Sequence, residues 1–424
     1  MRLSFKKKYN KKQWLLIFIV FVCCRLDLSP DTFIRKHPYT TNIKPSEEKF
    51  YQAILPKLKS KKVILVTNPS GIGNNPEKIQ EEFSKEKVNL ISMIGLEHGF
   101  LGLEEEFNSK VMTVDPYFNL PVYHIYRITE DKLASVLEQA EVIVFDVQDM
   151  GMRCYTYLSV IKRIMDGIKN TKTKLLVLDH INPSLHIGPR GGNIKSGYEN
   201  FAGEFPSLFF TGLTIGESAL YYNSKFLSNR VNLEIVPVEN FTRKMHFEET
   251  GLLWNTPSPN LPNIESARNY LSLVFLEGVN VSVGRGTQAP FIYFGAPWFD
   301  KPNVVAEILN KDSNKEYYFQ PVFFRPSYPP YKNQVCRGLR LNVINIHYDP
   351  IKLAFKIIKT LKNYYRDSFR WNPEGNKYSI DYLWGSESFR NAIEADLTYK
   401  EFHTTFQKEE KKQKKILKKF HIYQ

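Results

Sequence analysis

Between residues 60 and 240, short apolar runs alternate with stretches of helical periodicity, and this limits the fold more than any other feature of the chain. Lys62–Thr67, Asn89–Ile94, Pro121–Tyr126, Glu141–Asp146, Lys174–Asp179 and Asn232–Val238 read as strands. Between them Glu77–Lys87, Glu130–Gln139, Arg153–Lys169 and Thr214–Phe226 read as helices, the first entered through Pro76. Strands apolar on both faces and separated by helices predict an α/β fold with a mainly parallel, two-sided sheet. The rhythm ends near residue 240. We therefore expect one domain over residues 50–240 and a smaller α+β domain over 241–400, with a Lys-rich charged tail over 401–424.

The net charge of +14 suggests nucleic acid at first sight. Its distribution argues otherwise: residues 1–12 carry six positive charges and no acid, and Lys408–Lys419 carries seven Lys against Glu409 and Glu410. The body between is close to neutral, so no nucleic-acid partner is expected. Residues 1–25 join a basic start to the apolar run Trp14–Cys24, which is short for a membrane span and suited to an export signal. Cys23 and Cys24 admit acylation, and an uncleaved anchor is the other attachment through this end, so we expect an exported, periplasmic or cell-envelope protein. Cys154 and Cys336 read as free buried thiols.

The polar clusters all fall at carboxyl ends of the strands, where open α/β sheets bind ligands. Asn68-Pro-Ser70 follows the first strand, Glu97-His98-Gly99 the second, Asp146-Val-Gln148-Asp149 the fourth, and Asp179-His-Ile-Asn182 the fifth. A carboxyl leaving a buried strand is partly desolvated, which suits Glu97 to general-acid work; a loop carboxylate satisfied by backbone amides would look the same. Asp146, Gln148, Arg153 and Tyr155 together suit a polyhydroxylated, carboxylated ligand, although an N-cap by Asp149 and an ion pair from Arg153 would use the same residues. In the second part Glu277, Asn280 and Arg285 lie in a Gly-punctuated stretch; a surface ion pair is the plainer reading of Arg285. The loop Asn68–Asn75 has two glycines but lacks G-x-G-x-x-G and a P-loop lysine, so a nucleotide-sugar or phosphate-ester enzyme is a weaker expectation. No His/Cys cluster has zinc spacing, and no metal or cofactor is expected.

Taken in order, these segments resemble the exo-β-N-acetylmuramidase (NamZ) family. The stretches that carry the resemblance are Leu65–Gly71, Glu97–Gly102, Val144–Tyr157, Asn182-Pro183, Thr214–Glu217, Pro257–Asn260, Phe275–Thr287 and Gly295–Trp298. The resemblance implies a Rossmann-like first domain, a smaller second one and an active site in the cleft between them. It further implies release of N-acetylmuramic acid from non-reducing ends of peptidoglycan fragments, with Glu97 as acid or acid/base. For the second role Asp146 or Asp149 stands beside the sugar's own N-acetyl group. Arg153 or Arg285 would pair with the lactyl carboxylate. Asn68, His98, Gln148, Tyr155, Asn182, Asn260, Glu277 and Asn280 complete the expected substrate contacts, with a peptidoglycan-derived oligosaccharide or muropeptide as partner. One departure stands out, since His180 occupies a position where the family usually has Arg. It leaves open a non-catalytic cell-wall-binding protein that keeps the cleft without turnover.

Overall fold

The computed structural model describes residues 42–102, 110–311, 313 and 315–424, so the segment over residues 1–25 read as an export signal or anchor lies outside the described residues. The first half runs α1 (Ser46–Lys49), β1 (Lys62–Thr67), α2 (Pro76–Lys85), β2 (Asn89–Gly95), β3 (Met112–Asp115), β4 (Leu120–His124), α3 (Glu130–Leu137) and β5 (Val142–Asp146). It continues with α4 (Tyr157–Ile168), β6 (Lys174–Leu178), the short strands β7 (Arg190–Asn193) and β8 (Leu208–Phe210), α5 (Ile215–Lys225) and β9 (Asn232–Val236). Seven strands form the main sheet in the order β3-β4-β2-β1-β5-β6-β9. Every neighbour pair is parallel except β3 with β4. The sequence thus predicts an α/β class with a mainly parallel sheet, and the structure has it.

Alternation along the strands divides the core in two. Ile64, Val66, Ile143 and Phe145 face the layer that holds α4, while Val63, Leu65 and Val144 face Phe50, Ile79 and Phe83. Each such fully buried side chain is worth roughly 1.5–3 kcal/mol of transfer free energy. Asn75 caps α2 ahead of Pro76, and Thr214 caps α5 in a reciprocal box with Glu217. Because β1 leads to β2 on one side and β5 lies on the other, their carboxyl ends border the crevice of an open sheet.

The second half contributes α6 (Ile264–Leu273), β10 (Tyr293–Ala296), α7 (Pro302–Lys311), β11 (Tyr317–Phe324), β12 (Cys336–Val343) and α8 (Pro350–Tyr364). Four helices follow: α9 (Ser379–Trp384), α10 (Ser388–Glu394), α11 (Tyr399–Thr404) and α12 (Gln407–Leu417). A three-stranded sheet in the order β10-β12-β11 is antiparallel throughout. The buried Trp384 joins the halves, with its ring 5.6 Å from Phe209, 6.1 Å from Phe275 and 5.4 Å from Phe406.

The Lys-rich end is folded. On α12 the buried Glu410 accepts from Gly191 N at 2.9 Å and pairs with His403 Nε2 at 2.8 Å. Beyond it Tyr423 is buried, and its hydroxyl donates to Asp179 Oδ2 at 2.7 Å. Cys154 and Cys336 are both buried and free. Among the described residues no helix is long and apolar enough to cross a membrane.

Candidate active site

The loop after β1 is closed upon itself. Asn68 Oδ1 accepts from Ser70 N at 3.0 Å, and Asp146 Oδ2 accepts from Ile72 N at 2.6 Å. Gly73 N goes to Thr67 Oγ1, Gly71 N to Asn68 O, Asn74 N to Gly71 O, and Asn75 N to Ile72 O. A Cβ at Gly71 would lie 2.5 Å from Asp146 Oδ2, so only glycine fits there. These amides hold the loop, and the phosphate cradle that a nucleotide reading of Asn68–Asn75 requires is not formed. The buried Asn68 acts as a strut: its Nδ2 donates to Tyr157 Oη at 2.6 Å, and that hydroxyl donates to Pro257 O at 2.6 Å.

Glu97 sits at the turn after β2, where Gly99 adopts a positive φ of 74°. It is half-buried, and its Oε2 accepts from Thr156 Oγ1 at 2.9 Å, which in turn accepts from Tyr126 Oη at 3.0 Å. Around it stand aromatic rings: Tyr155 lies 4.9 Å from Tyr157 and 5.9 Å from Tyr270, and Tyr270 lies 4.8 Å from Phe291. Phe291 also underlies Arg285, whose guanidinium is 5.5 Å from the ring centroid and 2.5 Å from Glu277 Oε1.

Electrostatics tie these groups into one neighbourhood. Burial, then the charge of Glu97, pushes the Tyr126 and Tyr157 hydroxyls above their ordinary range, so both stay neutral donors. Burial raises the pKa of Glu277; Arg285 pulls it back and Glu97 pushes it up again. For Arg285 burial opposes the charge, but Glu277 outweighs it, with Glu97 adding to the gain. Glu97 from the first half and Glu277 with Arg285 from the second therefore lie in one tyrosine-rich neighbourhood. Arg285 Nε has no hydrogen-bond partner within the protein.

Asp146 belongs to a different neighbourhood. Its Oδ1 pairs with His180 Nε2 at 2.6 Å, and Glu47 Oε1 of α1 lies 3.9 Å from the same nitrogen. Burial alone would strip His180 of its proton. Glu47, together with the hydrogen bond and charge of Asp146, outweighs that and pushes the pKa up to about 9. Glu47, Tyr51, Ser70, Lys78, Gln148 and His180 are among the residues around a cavity of about 380 Å³ beside this cluster. Asp149 is sealed from solvent, with Oδ2 accepting from Gly151 N at 2.6 Å and Oδ1 unpartnered. Burial pushes its pKa up to about 7, against the backbone N–H bonds of Gly151 and Met150.

Several expected ligand contacts are engaged inside the fold. Arg153 is fully buried and donates to Gly192 O at 2.9 Å, Ser207 O at 2.9 Å and Trp384 O. It pins the β7–β8 segment to α9, so its guanidinium is not offered to an anionic ligand. It also lies ahead of α4, which begins at Tyr157 rather than at Arg153: Gly151 turns with a φ of 68° and Arg153 N bonds Phe209 O. Asn182 Nδ2 holds Leu213 O, and the Asn280 side chain holds Ser368 O and Arg370 N. Gln148 Nε2 bonds Asp149 O and Ile181 O. His98 lines a separate cavity of about 170 Å³ with Phe100 and His124. Asn260 is buried in the loop that receives Tyr157. Thr156, Tyr126, Tyr270 and Glu47 are additions that sequence reasoning missed. Thr156 stood inside a motif that drew attention to its neighbours, whereas the other three carry no local signal.

Comparison with known proteins bears on this arrangement. Residues 63–265 match the family described as exo-beta-N-acetylmuramidase NamZ, N-terminal, and residues 268–423 match NamZ, C-terminal. The peptidoglycan beta-N-acetylmuramidase NamZ of Bacillus subtilis (strain 168) is 30% identical over 386 residues, which is 90% of this chain and 92% of that protein. A crystal structure of a DUF1343 family protein from Bacteroides fragilis NCTC 9343 superposes with a TM-score of 0.78 at 26% identity, covering 90% of this chain and 99% of that one. A second DUF1343 structure from the same organism shares the fold, with a TM-score of 0.69 at 24% identity over 91% of this chain and 99% of its own.

Proposed function

The chain belongs to the exo-β-N-acetylmuramidase NamZ family, and from that premise we propose that it is an exported exo-acting glycoside hydrolase that releases N-acetylmuramic acid from non-reducing ends of peptidoglycan fragments. One arrangement carries the reading: Glu97 just beyond the end of β2 lies near the Glu277–Arg285 pair of the other half, among the same tyrosines. In this reaction Glu97 gives its proton to the glycosidic oxygen, and the bond from that oxygen to the anomeric carbon breaks. Water adds to the positively charged ring and returns a proton to Glu97. Thr156 and Tyr126 hold the carboxyl in place through the chain of hydrogen bonds described above.

For the carboxylate that steadies the charged ring, the geometry favours Glu277 over Asp146 and Asp149. Asp146 commits one oxygen to His180 and the other to Ile72 N, and Asp149 is closed off from solvent. Arg285, part-exposed where Arg153 is fully buried, is the cation for the lactyl carboxylate that separates muramic acid from N-acetylglucosamine. Export rests on the basic and apolar pattern of residues 1–25, which would bring the enzyme to its polymer in the periplasm or envelope.

The test is a pair of chromogenic substrates, a β-N-acetylmuramide and the matching N-acetylglucosaminide. Release from the first and little from the second is expected. If neither is hydrolysed while muropeptides still bind, the non-catalytic wall-binding reading takes its place.

A further inference from the structure

Glu47, Asp146 and His180 come from three distant segments and present one ligand atom each, all within 4.8 Å of one another. A tetrahedral zinc bound about 2.1 Å from each donor needs ligand atoms roughly 3.4 Å apart. The His180–Asp146 distance of 2.6 Å must open by under an ångström, and the His180–Glu47 distance of 3.9 Å must close by about half of one. The third pair, Glu47 with Asp146, lies within 4.8 Å and must close by at most about 1.4 Å. Asp146 is held from behind by Ile72 N on its other oxygen, the outer-shell bond that orients a metal carboxylate.

Charge balance argues the same way. With all three groups ionised, two carboxylates face a single imidazolium at the edge of the core, which leaves a negative charge uncompensated. A divalent cation beside a neutral imidazole cancels both carboxylates. Glu47 and His180 also line the cavity of about 380 Å³, so a fourth position faces space for water. Lys78, which lines the same cavity, has its ammonium 4.2 Å over the Tyr51 ring.

We infer that Glu47, Asp146 and His180 form a three-ligand site for a divalent transition cation, zinc by the match of one imidazole and two carboxylates, with its open position toward this cavity. Glu97 is not among the residues lining this cavity. It clasps α1 to the carboxyl ends of β5 and β6. Sequence spacing could not signal it, since the ligands are scattered over residues 47, 146 and 180.

The test is zinc binding by the full chain near neutral pH, after chelator treatment and dialysis against micromolar zinc chloride, with elemental analysis. A single equivalent is expected, and cobalt(II) in its place should give the visible absorption of a four-coordinate site. Glu47→Gln and His180→Ala should each weaken binding by more than the roughly 10–100-fold that an outer-shell loss costs, with far-UV circular dichroism unchanged. If His180→Ala fails to fold, the half-buried Glu47 carries the test alone. The rings of His186, His246 and His347 also cluster, with centroids 4.9 Å apart for two of the pairs. His246→Ala should therefore keep the metal. Binding far below one equivalent, or binding lost in His246→Ala and kept in Glu47→Gln, would overturn the proposal. No substrate enters this readout, so its failure leaves the muramidase reading untouched.

Discussion

Replacing Arg153 by methionine separates a structural guanidinium from a substrate-reading one. The substitution leaves Gly192 O, Ser207 O and Trp384 O without their donor in a site with no access to water. Each orphaned acceptor costs about 1–3 kcal/mol, so the three together come to roughly 6 kcal/mol. Against this stands the desolvation of the charge, since burial lowers the Arg153 pKa from 12.5 to about 10. Removing the charge recovers that shift, about 3 kcal/mol. The balance is a destabilisation of about 3 kcal/mol, because the carbonyls outnumber the charge they surround. Urea unfolding followed by tryptophan fluorescence measures it, and turnover on the chromogenic muramide, per folded molecule, should show an unchanged KM. An Arg153→Met protein with the wild-type unfolding midpoint and a KM raised tenfold or more would rule out the structural role and return Arg153 to the ligand.

Three further outcomes are expected. Glu97→Gln removes the proton donor and should lower kcat on the muramide by roughly 10²–10⁴-fold while muropeptide binding, read by calorimetry, stays within a fewfold; a near-wild-type kcat would place the acid elsewhere. Arg285→Gln should weaken binding of the muramide by about 1.5–3 kcal/mol, the worth of a charged hydrogen bond, with little effect on the N-acetylglucosaminide. Equal losses on both sugars would mean that Arg285 only holds Glu277. In metal-free protein, His180 has a folded pKa of about 9 against an ordinary 6.5. Its contribution, up to about 3 kcal/mol, is complete below pH 6.5 and disappears as the pH rises through 9. Urea midpoints on either side of that window should differ, and His180→Gln should flatten the difference.

The parallel strands were legible because each apolar run stops where the chain meets solvent at the sheet edge, whereas the antiparallel β3, four residues with only Asp115 buried, was not. Lys62–Thr67 is β1 to the residue. Glu97 was legible for the same reason. What escaped depends on partners far along the chain. Nothing near Arg153 announces that Gly192, Ser207 and Trp384 will converge on it. Tyr270 reaches the Glu97 neighbourhood only because α6 packs beside the Tyr155–Tyr157 turn. Asp146 and Asp149 look equivalent as text, yet one meets His180 and the other is sealed in. The lysines of α12 suggest a solvated tail, and the acid among them that turns inward, Glu410, cannot be told from its neighbour Glu409.

The bond from Tyr423 to Asp179 has a consequence for how the protein is made. Burial, then the neighbouring Glu217, pushes the Asp179 pKa up to about 6, against the pull of its bonds to Tyr423, Thr214 and Gly216. Glu217 in turn takes Ile422 N and the Arg243 guanidinium. While the chain is emerging from the ribosome, β6 and α5 are therefore complete in covalent terms long before their buried carboxylates can be satisfied. Two of their partners, Ile422 N and the Tyr423 hydroxyl, lie 205 and 244 residues further along the chain. A tag fused just after Gln424 would press on the same joint.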